Sequence, residues 1–274
     1  MAIKVSIQGY EGSFHQVAAR QFFGGDTEVI PCATFREVMK IAANKKESNG
    51  GVMAIENSIA GSILPNYTLL QKSNLKIVGE VYLRIEQNLL VYPGVSLSEI
   101  KEVHSHPMAL LQCMDFLEKH NWKLIETEDT ALSALHIHKK KSQHIAGIAS
   151  VLAADLFELE VLAPNIHTQK DNYTRFLILQ REEVEIKDAN KASINFQTNH
   201  TQGSLVKVLA KISDEGINLS KLQSMPIAGT NFKYSFHADL EFDNTKQFDK
   251  AMKGIKPLTE DIKVYGIYKN GNNH

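Results

Sequence analysis

Along the first half of the chain, short apolar runs rich in β-branched residues alternate with stretches whose apolar positions recur at three and four. "IKVSIQG" reads as a strand and "YEG" as a turn. A helix then opens at Ser13, with Gln16 three residues on in the pattern of a capping box. The unit recurs: "TEVIPC" precedes a helix capped by Thr34 and Glu37, with Phe35, Val38, Met39 and Ala42 on one face. "GVMAIE" runs into "NSIAGSI". "KEVHSH" runs into a helix with Pro107 at its first position and Leu110, Leu111, Met114 and Leu117 as its buried stripe. "KLIETE" and "HIAGIA" lead to helices near Asp129 and Ser150. Alternation of this kind predicts an α/β fold with mostly parallel sheets covered by helices.

"KIVGEVYLRIEQNLLVYP", residues 76–93, is too long and too β-branched for another such unit and predicts strands that leave one lobe and enter a second. A return near "VLAPNIHTQKDNYTRF" places "DNYTRFLILQ" between the lobes. The pattern therefore predicts a two-lobed domain over 1–181, with lobe one at about 1–77 and 163–181 and lobe two at about 78–162. A charged linker follows at 182–190. Residues 191–270 then read as βαββαβ, a ferredoxin-like domain, and 271–274 as a disordered tail. In the fourth element of that domain, Tyr234, Phe236, Ala238, Leu240 and Phe242 alternate strictly with Ser235, His237, Asp239 and Glu241.

Composition narrows the class. With 43% hydrophobic and 22% charged residues and a formal net charge of -1, the chain has the make-up of an ordinary globular protein and no global attraction for nucleic acid or an anionic membrane. The start of the sequence lacks the apolar region of a signal peptide, and no run is long enough to span a bilayer. Cys32 and Cys113 stand alone, as buried thiols do, which fits a cytoplasmic home. His104 with His106 and His136 with His138 lack a third ligand, so no metal site is expected. Neither a G-x-G-x-x-G nor a phosphate-binding loop with lysine is present.

Polar residues nevertheless gather where strands hand over to helices, the position at which open α/β sheets bind ligands. They are Ser13, Asn57, Ser58, Ser105, His106, Thr130 and Ser150. Each taken singly is an ordinary helix cap. Together, neutral donors and helix ends point to a small carboxylate ligand.

Read jointly, the motifs go further. "QGYEGSFHQVAA", "AIENSIAGSI", "SHPMALLQC", "TEDTALSA", "GIASVLAA" and "NYTRF" resemble, in order, the segments of prephenate dehydratases that carry a C-terminal ACT regulatory domain. The resemblance covers nearly the whole chain. It implies a catalytic domain like a two-lobed periplasmic solute-binding protein, and loss of water and carbon dioxide from prephenate to give phenylpyruvate without cofactor or metal. It assigns the donor to the departing hydroxyl to Thr174, and Arg175 is expected to anchor the pyruvyl carboxylate. Ser13, Asn57, Ser58, His106, Gln112, Thr130 and Phe176 are the expected substrate-binding residues, with Glu56 orienting them.

The resemblance also implies L-phenylalanine as effector and a homodimer or homotetramer. The effector residues would be Gly203, Ser204, Leu205, Asn218, Leu219, Gln223 and Ser224. Five positions depart from the family pattern. Ser13 replaces a threonine, Met108 a glutamine and Asp129 a common serine, while "LQSMP" puts Gln223 and Met225 where a carboxylate and a guanidinium are usual. Two rivals stay open: an arogenate dehydratase, whose substrate carries an amino group on the side chain, and a non-catalytic amino-acid sensor.

Overall fold

A computed structural model describes residues 3–227, 229–231 and 233–272. The first lobe is built from β1 (Lys4–Gln8), α1 (Phe14–Phe23), β2 (Glu28–Cys32), α2 (Phe35–Ala42), β3 (Gly50–Asn57), β4 (Gly61–Ser62), α3 (Leu64–Lys72) and β5 (Lys76–Arg84). The chain then forms β6 (Asn88–Val91), β7 (Glu102–Ser105), α4 (Pro107–Gln112), α5 (Met114–Leu117), β8 (Lys123–Glu126), α6 (Thr130–Lys140), β9 (Ile145–Ala149), α7 (Val151–Leu156) and β10 (Glu160–Ala163). It returns through β11 (Tyr173–Gln180).

One sheet has the order β2-β1-β3-β11-β5, with β4 paired to β3, and a second has the order β10-β6-β9-β7-β8. β1 runs parallel to β2 and β3, and β7 parallel to β8 and β9, whereas β6 is antiparallel to β9 and β10. Because β5 belongs to the first sheet along its whole length, the crossing between lobes falls after Arg84 and not near residue 78. β3 is buried on both faces, through Val52, Met53, Ala54 and Ile55, which is why it reads as an unbroken apolar run, while β1 buries Val5 and Ile7 on one face and Ser6 on the other.

Two local expectations are corrected. The helix after Pro107 is not continuous: it breaks at Cys113, and Leu111, expected in the buried stripe, is 64% exposed. At α1, Ser13 makes no capping bond; Gln16 Oε1 instead accepts from Gly12 N at 2.6 Å.

The C-terminal elements are β12 (Lys191–Gln197), α8 (Ser204–Asp214), β13 (Asn218–Pro226), β14 (Tyr234–Glu241), α9 (Thr245–Ile255) and β15 (Asp261–Tyr268). Their antiparallel sheet has the order β13-β14-β12-β15, the ferredoxin-like arrangement. Val208, Ile212, Phe248, Ala251 and Ile255 of the two helices meet Ala192, Ile194, Phe196, Ala238 and Leu240 of the sheet in one core.

By compactness the chain divides into one unit of residues 1–66 and 81–176 and another of residues 67–80 and 177–274. In the second unit the polar face of β14 is as buried as its apolar face: Ser235, His237 and Asp239 are at most 1% exposed. Tyr67 meets His237 edge-on at 4.8 Å, Gln71 donates to Ser235, and the side chains of Glu80 and Lys191 form a buried ion pair at 2.9 Å. Gly266 leaves no room for a Cβ, which would overlap the Ile77 carbonyl. Of the tail, Gly271 donates to Glu80 at 3.1 Å, while Asn273 and His274 lie outside the described residues.

Candidate active site

The strand ends of both lobes converge on a cavity of about 300 Å³. Gly9 and Gly12, at φ +93° and +84°, turn the chain from β1 into α1, and both are closed to side chains. A Cβ at Gly12 would stand 2.9 Å from Ala153 of α7, and Ser150 Oγ donates to Gly12 O at 2.6 Å. Ser150 thus ties the second lobe to the first and does not face the ligand. The cavity is lined by Ser13, Phe14, His15, Phe35, Asn57, Thr174 and Phe176 from one lobe and by Gln87, His106, Met108, Gln112, Glu128, Asp129 and Thr130 from the other. Among the described residues no lysine or arginine lines it.

At one end stands Thr174, the second residue of β11. Asn57 Nδ2 donates to Thr174 Oγ1 at 3.0 Å and to Asn172 Oδ1 at 2.8 Å, while Asn57 Oδ1 accepts from the backbone N–H groups of Ile59 and Ala60. Those two backbone donors fix which way the amide faces. Thr174 Oγ1 is therefore an acceptor toward Asn57, and its own hydrogen is left to donate into the cavity. The amide chain continues: Asn172 Nδ2 and Gln87 Nε2 both donate to Gln112 Oε1, at 3.2 and 3.3 Å, which turns the Gln112 NH₂ outward as a donor.

His106 caps α4 by accepting from Met108 N through Nδ1 at 3.2 Å, so in the neutral ring Nε2 carries the hydrogen. The Ser13 hydroxyl, on a residue only 4% exposed, is buried without a partner at the start of α1. Asp129 caps α6, accepting from Leu132 N at 3.0 Å, and burial raises its carboxyl above the ordinary range.

Seven of the nine expected site residues line the cavity. Arg175 and Ser58 do not. Successive strand residues point to opposite faces, so with Thr174 and Phe176 facing the cavity Arg175 must face away. It is 5% exposed, with its guanidinium 5.8 Å from the centre of the Tyr82 ring, and the expectation that it anchors a substrate carboxylate is corrected. Ser58 serves the backbone: its hydroxyl donates to Asp171 O and accepts from Tyr173 N at 2.9 Å, clamping β11 beside β3. Several residues of the site escaped the sequence reading, Phe14 and Glu128 among them. Asn172 shares Thr174's side of the strand at a spacing of two, a signal that was available, whereas His15, Phe35 and Gln87 carried none.

His15 lies edge-on against Phe176 at 4.9 Å and accepts from Ala54 N through Nε2, and burial lowers its pKa to about 3. An unfolded histidine titrates near 6.5, so between these values the unfolded chain holds the extra proton and stability must fall as pH falls. The contribution is about 1.4 kcal/mol per pH unit across that window. Denaturant unfolding from pH 7 to pH 4 is expected to show this slope and to lose it in His15→Phe; an unchanged slope would remove His15 as its source.

A family model described as prephenate dehydratase matches residues 5–184. A bifunctional chorismate mutase/prephenate dehydratase of Aquifex aeolicus (strain VF5) is 36% identical over 271 residues, 97% of this chain and 73% of the relative. The solved structure of a prephenate dehydratase from Arthrobacter aurescens in complex with L-Phe superimposes with a TM-score of 0.86 at 26% identity, covering 99% of this chain and 92% of that one. Another, described as GqqA, a novel type of quorum-quenching acylase, gives a TM-score of 0.88 at 27% identity over 97% of this chain and 98% of that one.

Proposed function

The chain belongs to the prephenate dehydratase family, and we infer that it converts prephenate to phenylpyruvate with loss of water and carbon dioxide, a step in phenylalanine biosynthesis. One observation carries the chemical reading: Thr174 receives Asn57's hydrogen and keeps its own for the cavity. In the reaction the bond from the ring to its carboxylate breaks, the electron pair enters the ring, and the hydroxyl at the opposite carbon leaves, taking up a proton to become water. Aromatisation drives the step, and the barrier lies in the charge that grows on the departing oxygen. A hydroxyl already oriented by a fixed amide stabilises that charge without reorganising.

The lining suits the other half of the reaction. A guanidinium clamped on the ring carboxylate would stabilise the very charge that fragmentation must discharge and would raise the barrier. Neutral donors at Ser13, His106, Gln112 and Thr130 bind the dianion more evenly. The test is incubation of the full chain with prephenate and, separately, arogenate, following phenylpyruvate and phenylalanine. Absence of product from both would overturn the reading.

The C-terminal domain reads as an ACT effector domain for L-phenylalanine, in a homodimer or homotetramer and in a cytoplasmic setting. The fold and the L-Phe bound to the Arthrobacter aurescens relative support the effector part of this reading. Among the described residues no helix is long and apolar enough to cross a membrane. Ser204 and Leu205 border a cavity of about 310 Å³ at the head of α8, Met225 is buried, and the Gln223 amide is bonded to Ser224 O. Titration with L-phenylalanine is expected to reduce the rate about fivefold or more at saturation. A rate that stays flat would show that Gln223 and Met225 have uncoupled the domain.

A further inference from the structure

The cavity brings two carboxylates, Glu128 and Asp129, to a site whose substrate is already an anion, and among the described residues no lysine or arginine lines it to offset them. Glu128 is exposed and occupied, taking the Tyr10 hydroxyl at 2.7 Å. Asp129 is different. One oxygen caps α6, and the other hangs over Gly9, where a Cβ would stand 2.7 Å from Asp129 Oδ2 and 3.6 Å from Ser13 Cβ. Asp129 therefore faces the start of α1 across a glycine, beside the buried Ser13 hydroxyl, which lacks a partner.

Gly9 and Ser13 follow β1, whereas Thr174 stands on β11. β11 is two places from β1 in the sheet, about 10 Å at ordinary strand spacing. That is comparable to the distance from a ring hydroxyl to a side chain on the opposite ring carbon. With the leaving hydroxyl at Thr174, the substrate's side chain comes to rest between the N-terminus of α1 and Asp129. A helix N-terminus with a free hydroxyl takes a carboxylate. A carboxylate beside it repels a second carboxylate and gives a keto oxygen nothing, but it pairs with an ammonium.

We propose that Asp129 is a specificity-determining residue that reads an α-ammonium on the substrate's side chain, with Ser13 and the head of α1 holding the neighbouring carboxylate, so that this chain favours the α-amino acid arogenate over the α-keto acid prephenate. The assignment rests on the dehydratase reading above. It accounts for a half-buried carboxyl held above its usual range, a penalty that a cation beside it relieves.

The test compares kcat/KM for arogenate and prephenate in the full chain and in Asp129→Ser and Asp129→Asn. Serine and asparagine cap helices about as well as aspartate, so both variants are expected to fold, and a thermal melt checks that they do. The parent chain is expected to favour arogenate by about tenfold or more. Both variants are expected to lower that preference by about tenfold, chiefly through KM for arogenate, and to raise kcat/KM for prephenate. A parent that turns over prephenate at least as well as arogenate, or a preference unmoved in both variants, overturns the role of Asp129 and leaves the dehydratase reading standing. Failure of the parent on both substrates overturns that reading itself.

Discussion

Thr174→Val is expected to lower kcat by roughly 10²- to 10³-fold, the usual cost of removing one preorganised donor from a developing oxyanion. Valine keeps the volume and the β-branch that suit a strand, so the fold has no reason to change. Asn57 also keeps a place for its amide, because Asn172 Oδ1 and Tyr173 O remain within reach at 2.8 and 3.2 Å. What disappears is the one hydrogen aimed at the leaving group. The loss should fall on kcat and on kcat/KM alike, as it does for a contact made only in the transition state. Thr174→Ser, which restores a hydroxyl with a freer rotor, should recover most of it. Steady-state kinetics on the three proteins decide the matter, and a valine variant with near-parental turnover would remove Thr174 from the chemistry.

The largest effect on stability is expected at Lys191. Its side chain is 2% exposed and pairs with Glu80, whose side chain is fully buried. Glu80 Oε1 receives both Lys191 Nζ and the backbone N–H of Gly271. Methionine at 191 would fill much of the space but take the cation away from that buried carboxylate. Breaking such a pair from one side costs about 3–5 kcal/mol. In a chain of this size that corresponds to a fall in Tm of roughly 10 °C. Removing both charges together, as Lys191→Met with Glu80→Gln, should recover a large part of the loss, because desolvating two ions often costs as much as their attraction returns. A thermal melt of the single and double variants measures this, and a double variant no better than the single would show that the lysine acts through its hydrocarbon stem.

Much of this architecture is visible in the residue pattern because burial on both faces of β1 and β3, and the alternation of β14, are local signals. The limits are equally physical. Alternation in β14 separates Ser235, His237 and Asp239 from Phe236, Ala238 and Leu240, but it cannot say that the polar set will also be buried. That depends on Tyr67 and Gln71, which lie more than a hundred residues earlier in the chain. In the cavity, motif order led to four of the residues that line it, Thr174, Asn57, His106 and Gln112. The placement of Arg175 failed against a rule already present in the sequence, since neighbouring residues of one strand cannot share a face. His15 and Gln87 join the cavity only through folding, and Asp129 looks like any helix cap until Gly9 and Ser13 are seen beside it.

The anchoring of Asn57 by the backbone of residues 59 and 60 bears on how this site ages under mutation. Side-chain contacts are lost whenever a codon changes, but a main-chain N–H survives every replacement except proline. Replacements at Ile59 and Ala60 leave in place the two N–H groups that keep the amide's heading. The aim of the Thr174 hydroxyl is thus inherited through the path of the chain, and few single substitutions at those two positions can erode it.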